Sequence, residues 1–577
     1  MTVEKVKVKI MGISCAHRVG RNTAWLTLYT LKAVEKFGRR ISGVAEIETE
    51  FIDLSLPGRE IKQCGDCDER CGVSGVSLPW KGVAIPRDFG CVIEDDYIAK
   101  ELLPRMCEVD GFIFGSPVFN LGYTSKFRSF FDRLRGGVRL GYFTNKPAGA
   151  VTTAMNPMGG QESCLEFMNM GIQELEMIPV QWMNGATGVS GPPNGPLPAD
   201  DDGTQIGLKK DRMAQFLAAL VGRRVAEVAV MQKLTKRRLG SLYEQEFIQF
   251  YHPPHGEASW EWDRLDEEDE DYMLSLDTDA MKALDGVITQ RKVSQGEKIR
   301  CKFLGFSCSP RKGGNTAWLV LYALKAIEKF GWRVASVADF ETEFIDVADK
   351  YIRPCLNCDQ RYDIPNRGIS WRGREMPQDF GCIIKNDYLA KEILPKVEKS
   401  DGFIFGSPVS TYTCSTKYRL LSQRFAVNLN RGHIQGKPTA NIAVGYGPNS
   451  GQETCLHAMN TIQRAIELIP ISWPIGTSAT SSLPYGSTLG GDDGNIIAVK
   501  NDERARSLAI YNGRRLAEFA IMWKLAKGEL GDLYTREFMQ VLHPPHGDQT
   551  WEWHRLDKED EYYVMSLSPR ELMKISK

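Results

Sequence analysis

The chain contains itself twice. Gly12-Ile-Ser-Cys15 through Phe37-Gly38 returns as Gly305-Phe-Ser-Cys308 through Phe330-Gly331. Asp110-Gly-Phe-Ile-Phe-Gly-Ser-Pro-Val118 returns unchanged as Asp401 to Val409. Gly160-Gln-Glu-x-Cys-Leu165 matches Gly451 to Leu456, and His252-Pro-Pro-His-Gly256 matches His543 to Gly547. The matches keep their order and nearly their spacing, so a duplication explains them. A period of about half the chain is too long for a solenoid repeat, and each copy is a domain with its own core. We expect one domain over 1–266, an acidic and polar linker over 267–297, and a second domain over 298–577, each domain ending in an extension that acts as a strap.

Within one copy, short apolar strands alternate with helical patterns. Val6–Ile13, Glu50–Leu54, Phe112–Phe114, Ala148–Thr153 and Pro179–Met183 read as strands. Thr23–Phe37, Asp96–Glu108, Ser125–Leu134, Gln161–Glu176 and Asp211–Leu234 read as helices. This rhythm predicts an α/β fold, a parallel sheet covered on both faces. Five strands with a polar loop after the first fit two tandem flavodoxin-like, doubly wound domains, whose ligands lie at the C-terminal ends of the strands.

The loop after the first strand of the second copy reads Ser307-Cys-Ser309-Pro-Arg311-Lys-Gly-Gly-Asn315-Thr316. It combines hydroxyls, an amide and a guanidinium with the start of a helix, whose unpaired N–H groups favour an anion. A phosphate suits it; a polar turn with a helix cap is the alternative. The Walker spacing is absent.

Taken with Cys-x3-Asp-Asp, Asp-Gly-x-Ile-x-Gly-Ser-Pro-Val and Gly-Gln-Glu, this loop resembles the NADPH-dependent FMN reductase family, and the cysteines resemble its iron–sulfur flavoprotein branch. The likeness covers roughly residues 6–235 and 299–525. It implies FMN bound non-covalently, with its phosphate on Ser307, Ser309, Arg311, Asn315 and Thr316. In the first copy the same positions are Ser14, Ala16, Arg18, Asn22 and Thr23. It further implies that Ser116-Pro117-Val118-Phe119-Asn120 and Ser407-Pro408-Val409-Ser410-Thr411 border the isoalloxazine edge. A third loop, Thr152–Gly160 with Thr153 and Val444–Gly451 with Gly445, would pass over the ring. Lys126 and Asp132-Arg133 keep the family's pattern, whereas the second copy has Lys417 and Arg424 but Gln423.

Fourteen cysteines without a leader pattern point away from a disulfide framework. Cys64, Cys67, Cys71 and Cys91 can supply four thiolates, and the resemblance implies a [4Fe–4S] cluster there; zinc and buried, unligated thiols are the rivals. The second copy offers Cys355, Cys358 and Cys382, with Tyr362 where Cys71 stands. Cys15, Cys308, Cys164 and Cys455 recur near helix starts, which would lower a thiol pKa and make a reactive group beside the flavin; small buried filler is the plainer reading. The His-Pro-Pro-His-Gly segments read as packing straps rather than metal sites.

Lysine plus arginine (72) nearly balances aspartate plus glutamate (73), which gives no electrostatic case for nucleic acid or anionic membrane. No apolar run reaches the roughly 18 residues of a membrane span. We therefore expect a cytoplasmic protein, and the resemblance implies an oxidoreductase that uses FMN and a cluster, with a ferredoxin-like partner or NAD(P)H as donor; an NAD(P)H-dependent flavin or quinone reductase without a cluster and a non-catalytic electron-relay or scaffold subunit are the alternatives. The resemblance implies flavin domains paired within the chain as a pseudo-dimer. The sequence names no acceptor.

Overall fold

The computed structural model describes residues 5–65, 93–134, 142–196, 200, 204–247, 264–290, 298–356, 382–430, 433–482, 485–486, 496–538 and 555–576. The first sheet is built from β1 (Val6–Ser14), β2 (Ala45–Asp53), β3 (Gly111–Pro117), β4 (Pro147–Ala154), β5 (Ile178–Pro179) and β6 (Ala186–Val189). Its helices are α1 (Asn22–Arg40), α2 (Leu103–Cys107), α3 (Ser125–Arg133), α4 (Gln161–Glu174) and α5 (Arg212–Leu239). There follow α6 (Ser241–Glu246), α7 (Glu267–Ser275), α8 (Thr278–Ala283) and β7 (Ile288–Gln290). The second sheet uses β8 (Ile299–Ser307), β9 (Ala338–Asp346), β10 (Gly402–Ser410), β11 (Thr413–Cys414), β12 (Pro438–Gly445), β13 (Ile469–Pro470) and β14 (Thr477–Thr480). Around it lie α9 (Asn315–Arg333), α10 (Leu394–Lys399), α11 (Thr416–Asn430), α12 (Gln452–Ala465) and α13 (Glu503–Leu530). The chain closes with α14 (Asp532–Glu537), α15 (Lys558–Ser566) and α16 (Pro569–Ile575).

The first sheet has the parallel order β2-β1-β3-β4-β5, and the second repeats it as β9-β8-β10-β12-β13. This is the flavodoxin-like order, with its switch point between the first and third strands. Burial along β1 alternates from Val6 to Ile10 and then becomes continuous to Ser14, as expected where helices cover both faces. The register sets Ser14 beside Asp53 and Gly115, and Ser307 beside Asp346 and Gly406. The predicted loops therefore emerge together at one edge.

Two expected elements differ. The segment read as a single helix over Asp96–Glu108 opens with a wide π turn, Ile98–Leu102, before α2. The strand read at Pro179–Met183 is confined to Ile178–Pro179, and pairing with β4 resumes at Ala186–Val189.

The linker expected over 267–297 is folded across 267–290. Glu267, Glu268, Asp269 and Glu270 occupy the first turn of α7, where the helix dipole favours negative charge. Met273 and Met281 are buried, and β7 adds antiparallel to β9. The compact units also interleave along the chain. Among the described residues, the first unit falls within Met1–Arg238 and Leu530–Lys577, and the second within Leu239–Ile248 and Trp260–Glu529. Each copy's tail thus belongs to the unit built on the other copy's sheet. The His-Pro-Pro-His-Gly segments lie outside the described residues.

The contacts that hold the tails repeat in both units. The fully buried indole of Trp25 donates to the Val564 carbonyl, and that of Trp318 to the Met273 carbonyl, each at 2.8 Å. Arg40 pairs with Glu537 and Arg333 with Glu246. Phe37 meets Phe538 edge-on, and Phe330 meets Phe247 likewise. Replacing Trp318 with Phe removes a buried donor and strands the Met273 carbonyl. We predict a loss of about 1–3 kcal/mol in denaturant titration; a wild-type midpoint would contradict this packing account.

Candidate functional site

A cavity of about 460 Å³ opens at the strand ends of the second unit. The loop after β8 lines it with Ser309, Arg311, Asn315 and Thr316; the loop after β10 contributes Pro408, Val409 and Ser410; β12 and its loop add Val444, Gly445 and Tyr446. The three loops predicted from the sequence thus meet around one space, of a size typical for a cofactor. Sequence reasoning missed Ser415 and Ser481, which also line it, while Tyr446 falls within the predicted third loop. Ser415 stands where the first copy has Thr124; each hydroxyl donates to the carbonyl of the loop cysteine.

Two predicted residues stand behind the surface. Ser407 is fully buried; its Oγ donates to the Pro408 carbonyl and accepts from the Ser415 amide, so it shapes its loop. Ser307 is fully buried at the end of β8, and its Oγ has no hydrogen-bond partner. A buried hydroxyl left unmatched is costly, and a ligand oxygen would satisfy it. No side chain caps α9, whose N-terminal amides remain for an anion. The orphaned hydroxyl, the uncapped helix and the lined cavity fit FMN.

The turn in this loop is held from behind. Gly313 has φ +69°, and its amide donates to Asp346 Oδ2 at 2.9 Å; in the first copy Gly20, at φ +62°, donates to Asp53 Oδ2 at 3.0 Å. The signal was in the sequence, because Phe-Ile-Asp ends the second strand of both copies. Burial pushes the Asp346 carboxyl up to about 6, with the Gly313 and Ala348 amides opposing the rise. The folded chain therefore keeps this proton to a higher pH than the unfolded chain, which releases it near 4. The contribution of this group to stability falls as pH rises from about 4 to about 6. Asp346→Asn should flatten that part of the wild-type profile of urea midpoint against pH; an unchanged slope would contradict the assignment.

In the first unit some of the corresponding residues are engaged alike and others differently. Ser14 is buried, again with an unpartnered hydroxyl. Asn22 Oδ1 accepts from the Leu208 amide, and the Thr23 hydroxyl meets that of Thr153 at 2.7 Å. Ala16 is buried, Arg18 is exposed, and His17 meets Phe119 edge-on. Ser116 repeats the loop-shaping bonds of Ser407, and Pro117 registers with Thr153. Val118 donates its amide to the Thr153 carbonyl. Asn120 and Thr411 both adopt positive φ in their turns, and Thr411 is not among the residues lining the second-unit cavity.

Arg133 and Arg424, noted in the sequence for the family's pattern, serve the cysteine segments. Arg133 pairs with Asp96, both buried, and donates to the carbonyls of Lys62 and Ile93. Arg424 pairs with Asp387 and donates to the carbonyls of Arg353 and Ile384. Each guanidinium thus ties together the two ends of a cysteine-bearing segment. Burial raises the Asp96 carboxyl, but Arg133 and the Ala99 and Lys62 amides outweigh it and hold it below the usual range. Breaking a buried pair leaves an uncompensated charge. Arg424→Met should cost about 3–5 kcal/mol in urea unfolding, with most recovered in the Arg424→Met/Asp387→Leu double variant. Equal loss in both would contradict this account.

Of the predicted metal ligands, Cys67, Cys71, Cys91 and Cys358 lie outside the described residues. Cys64 and Cys355 are half-buried and Cys382 is buried. Among the described residues no three Cys, His, Asp or Glu side chains converge as a metal site. The four recurring thiols follow the plainer reading. Burial raises Cys15 and Cys308 far above the ordinary thiol range and pushes Cys164 up to about 11 and Cys455 up to about 12. Desolvation outweighs the helix termini, which fits buried filler rather than thiolate nucleophiles.

The family model for NADPH-dependent FMN reductase matches residues 8–186 and 301–477. The chain belongs to this family, twice over, and its function is a flavin redox function. An iron–sulfur flavoprotein of Methanocaldococcus jannaschii is 30% identical over 217 residues, 38% of this chain and 96% of that relative. One of Methanosarcina thermophila is 29% identical over 161 residues, 28% of this chain and 71% of that relative. An NAD(P)H:quinone oxidoreductase structure from Methanothermobacter marburgensis covers 41% of this chain and 98% of its own at 16% identity, with a TM-score of 0.22. No helix among the described residues is long and apolar enough to cross a membrane.

Proposed function

We propose that the protein is an electron-transferring oxidoreductase that binds FMN in the second-unit cavity and carries an iron–sulfur cluster on its cysteine segments. The observation that carries the flavin reading is the meeting of the three loops around one cavity, with Ser307 Oγ unmatched two residues before the lining Ser309. Ser307, Ser309, Asn315, Thr316 and the first-turn amides of α9 would hold the phosphate, and Pro408 to Ser410 with Gly445 and Tyr446 would border the ring. FMN, when bound, takes up two electrons and can release them singly. The chain's own part is to bind and orient the flavin and to limit water around it. The names of the relatives support the cluster, and the Arg–Asp pairs support a fixed base for each cysteine segment. A small ferredoxin-like protein or NAD(P)H would serve as the donor.

The test is an anaerobic purification in which the visible spectrum, extractable FMN, iron and acid-labile sulfide are all measured per chain. We expect FMN with iron and sulfide. Flavin without iron or sulfide would overturn the cluster and leave a flavin or quinone reductase to be assayed with NADPH and NADH. Absence of FMN binding would overturn the cavity assignment.

A further inference from the structure

We propose that the tail of one copy completes the phosphate side of the other copy's flavin site, and that Asp285 is a positioning residue for the FMN phosphate in the second unit. The inference rests on reading the second-unit cavity as the FMN site.

Two routes run from the tail to residues that line the cavity. In the first, Asp285 Oδ1 accepts the amide of Asp346 at 3.0 Å, and Asp346 Oδ2 accepts the amide of Gly313. Gly313 is followed by Gly314, Asn315 and Thr316, all of which line the cavity. Asp285 also pairs with Lys350 at 2.9 Å and approaches the loop's own Lys312 at 3.5 Å. Asp349 holds the same lysine at 2.7 Å. In the second route, Lys500 donates to the tail carbonyls of Leu274 and Leu276, while the neighbouring Val499 amide donates to Asn315 Oδ1 at 3.1 Å.

The tail backbone is seated directly on the loop. A Cβ placed on Gly313 would fall 2.6 Å from the Thr278 carbonyl oxygen, too close for any side chain. The first unit repeats the arrangement with different chemistry. Ser576 Oγ accepts the Asp53 amide at 2.7 Å, Asp53 holds Gly20, and a Cβ on Gly20 would fall 2.4 Å from the Pro569 oxygen. Lys209 donates to the Met565 and Leu567 carbonyls, and the Leu208 amide donates to Asn22. Two copies that differ at the docking residue, Asp285 against Ser576, keep the same connections between tail and loop. Generic packing of a C-terminal extension would not require this.

A loop braced in this way matters to the phosphate and not to the ring, which separates the idea from a merely structural role. Full-length wild type and Asp285→Ala would be titrated anaerobically with FMN and with riboflavin, which lacks the phosphate. We expect the FMN affinity of one site per chain to fall about ten-fold in the variant, with riboflavin affinity unchanged. Asp285→Asn, which keeps an oxygen for the Asp346 amide, should recover part of the loss. Equal FMN affinity in wild type and Asp285→Ala would overturn the inference. So would an equal fall for both ligands, which would mark general damage to the domain. Wild type that binds no FMN would overturn the cavity reading itself. Should Asp285→Ala fail to fold, Lys500→Met cuts the second route, leaves the loop charges in place, and carries the same expectation.

Discussion

One hydrogen bond recurs at the centre of each unit: the amide of a left-handed glycine in the loop after the first strand, donated to the aspartate that ends the second strand. The parallel register puts that aspartate beside the last residue of the first strand, Ser307 next to Asp346 and Ser14 next to Asp53. The bond fixes where the loop turns and therefore where the following helix starts. The positions of Asn315 and Thr316, and the direction of the first-turn amides, depend on it. Asp346 is itself held by Ala348 and Asp285 and lies in surroundings dry enough to raise its pKa. The loop is therefore stiff before any ligand arrives, and preorganisation of this kind lowers the cost of holding a phosphate.

The same region explains why a duplicated chain can differ from two separate domains. Each sheet is finished by a tail that follows the other sheet in sequence, and the tail covers a tryptophan in the first helix turn as well as the loop brace. The two units have nevertheless diverged at the site. The second has Pro310, Ser410 and Tyr446 where the first has His17, Phe119 and Met155. In the first unit Thr23 and Thr153 satisfy each other's hydroxyls, whereas in the second Val444 replaces Thr153 and Thr316 lines the cavity.

Much of this was legible in the sequence. The repeat showed two domains, the strand and helix rhythm showed a parallel sheet, and the loop residues pointed to the edge where they meet. The exchange of tails was not legible. The apolar spacing of Met273 and Met281 shows that a face is buried and says nothing about which copy buries it. The acidic run at 266–271 read as part of a linker, because a helix N-terminus that accepts such charge is visible only once the helix is placed; most of its side chains are exposed. The role of Arg133 and Arg424 was not legible, because the carbonyls they bind come from 71 and 40 residues earlier. The recurring thiols were read as buried filler before a reactive group, and desolvation, which helix position alone does not show, favours the filler.

A flavin redox protein must hold its cofactor firmly through changes in charge, and under the proposal made above this chain would distribute that task over both copies. The central claim is therefore a coupling between the phosphate and the tail, and linkage makes such a coupling reciprocal. Amide hydrogen exchange across residues 278–290, measured with and without FMN, tests it most directly. The account predicts slower exchange in that segment when FMN is bound and little change with riboflavin. Exchange that ignores FMN while the cavity is filled would contradict it.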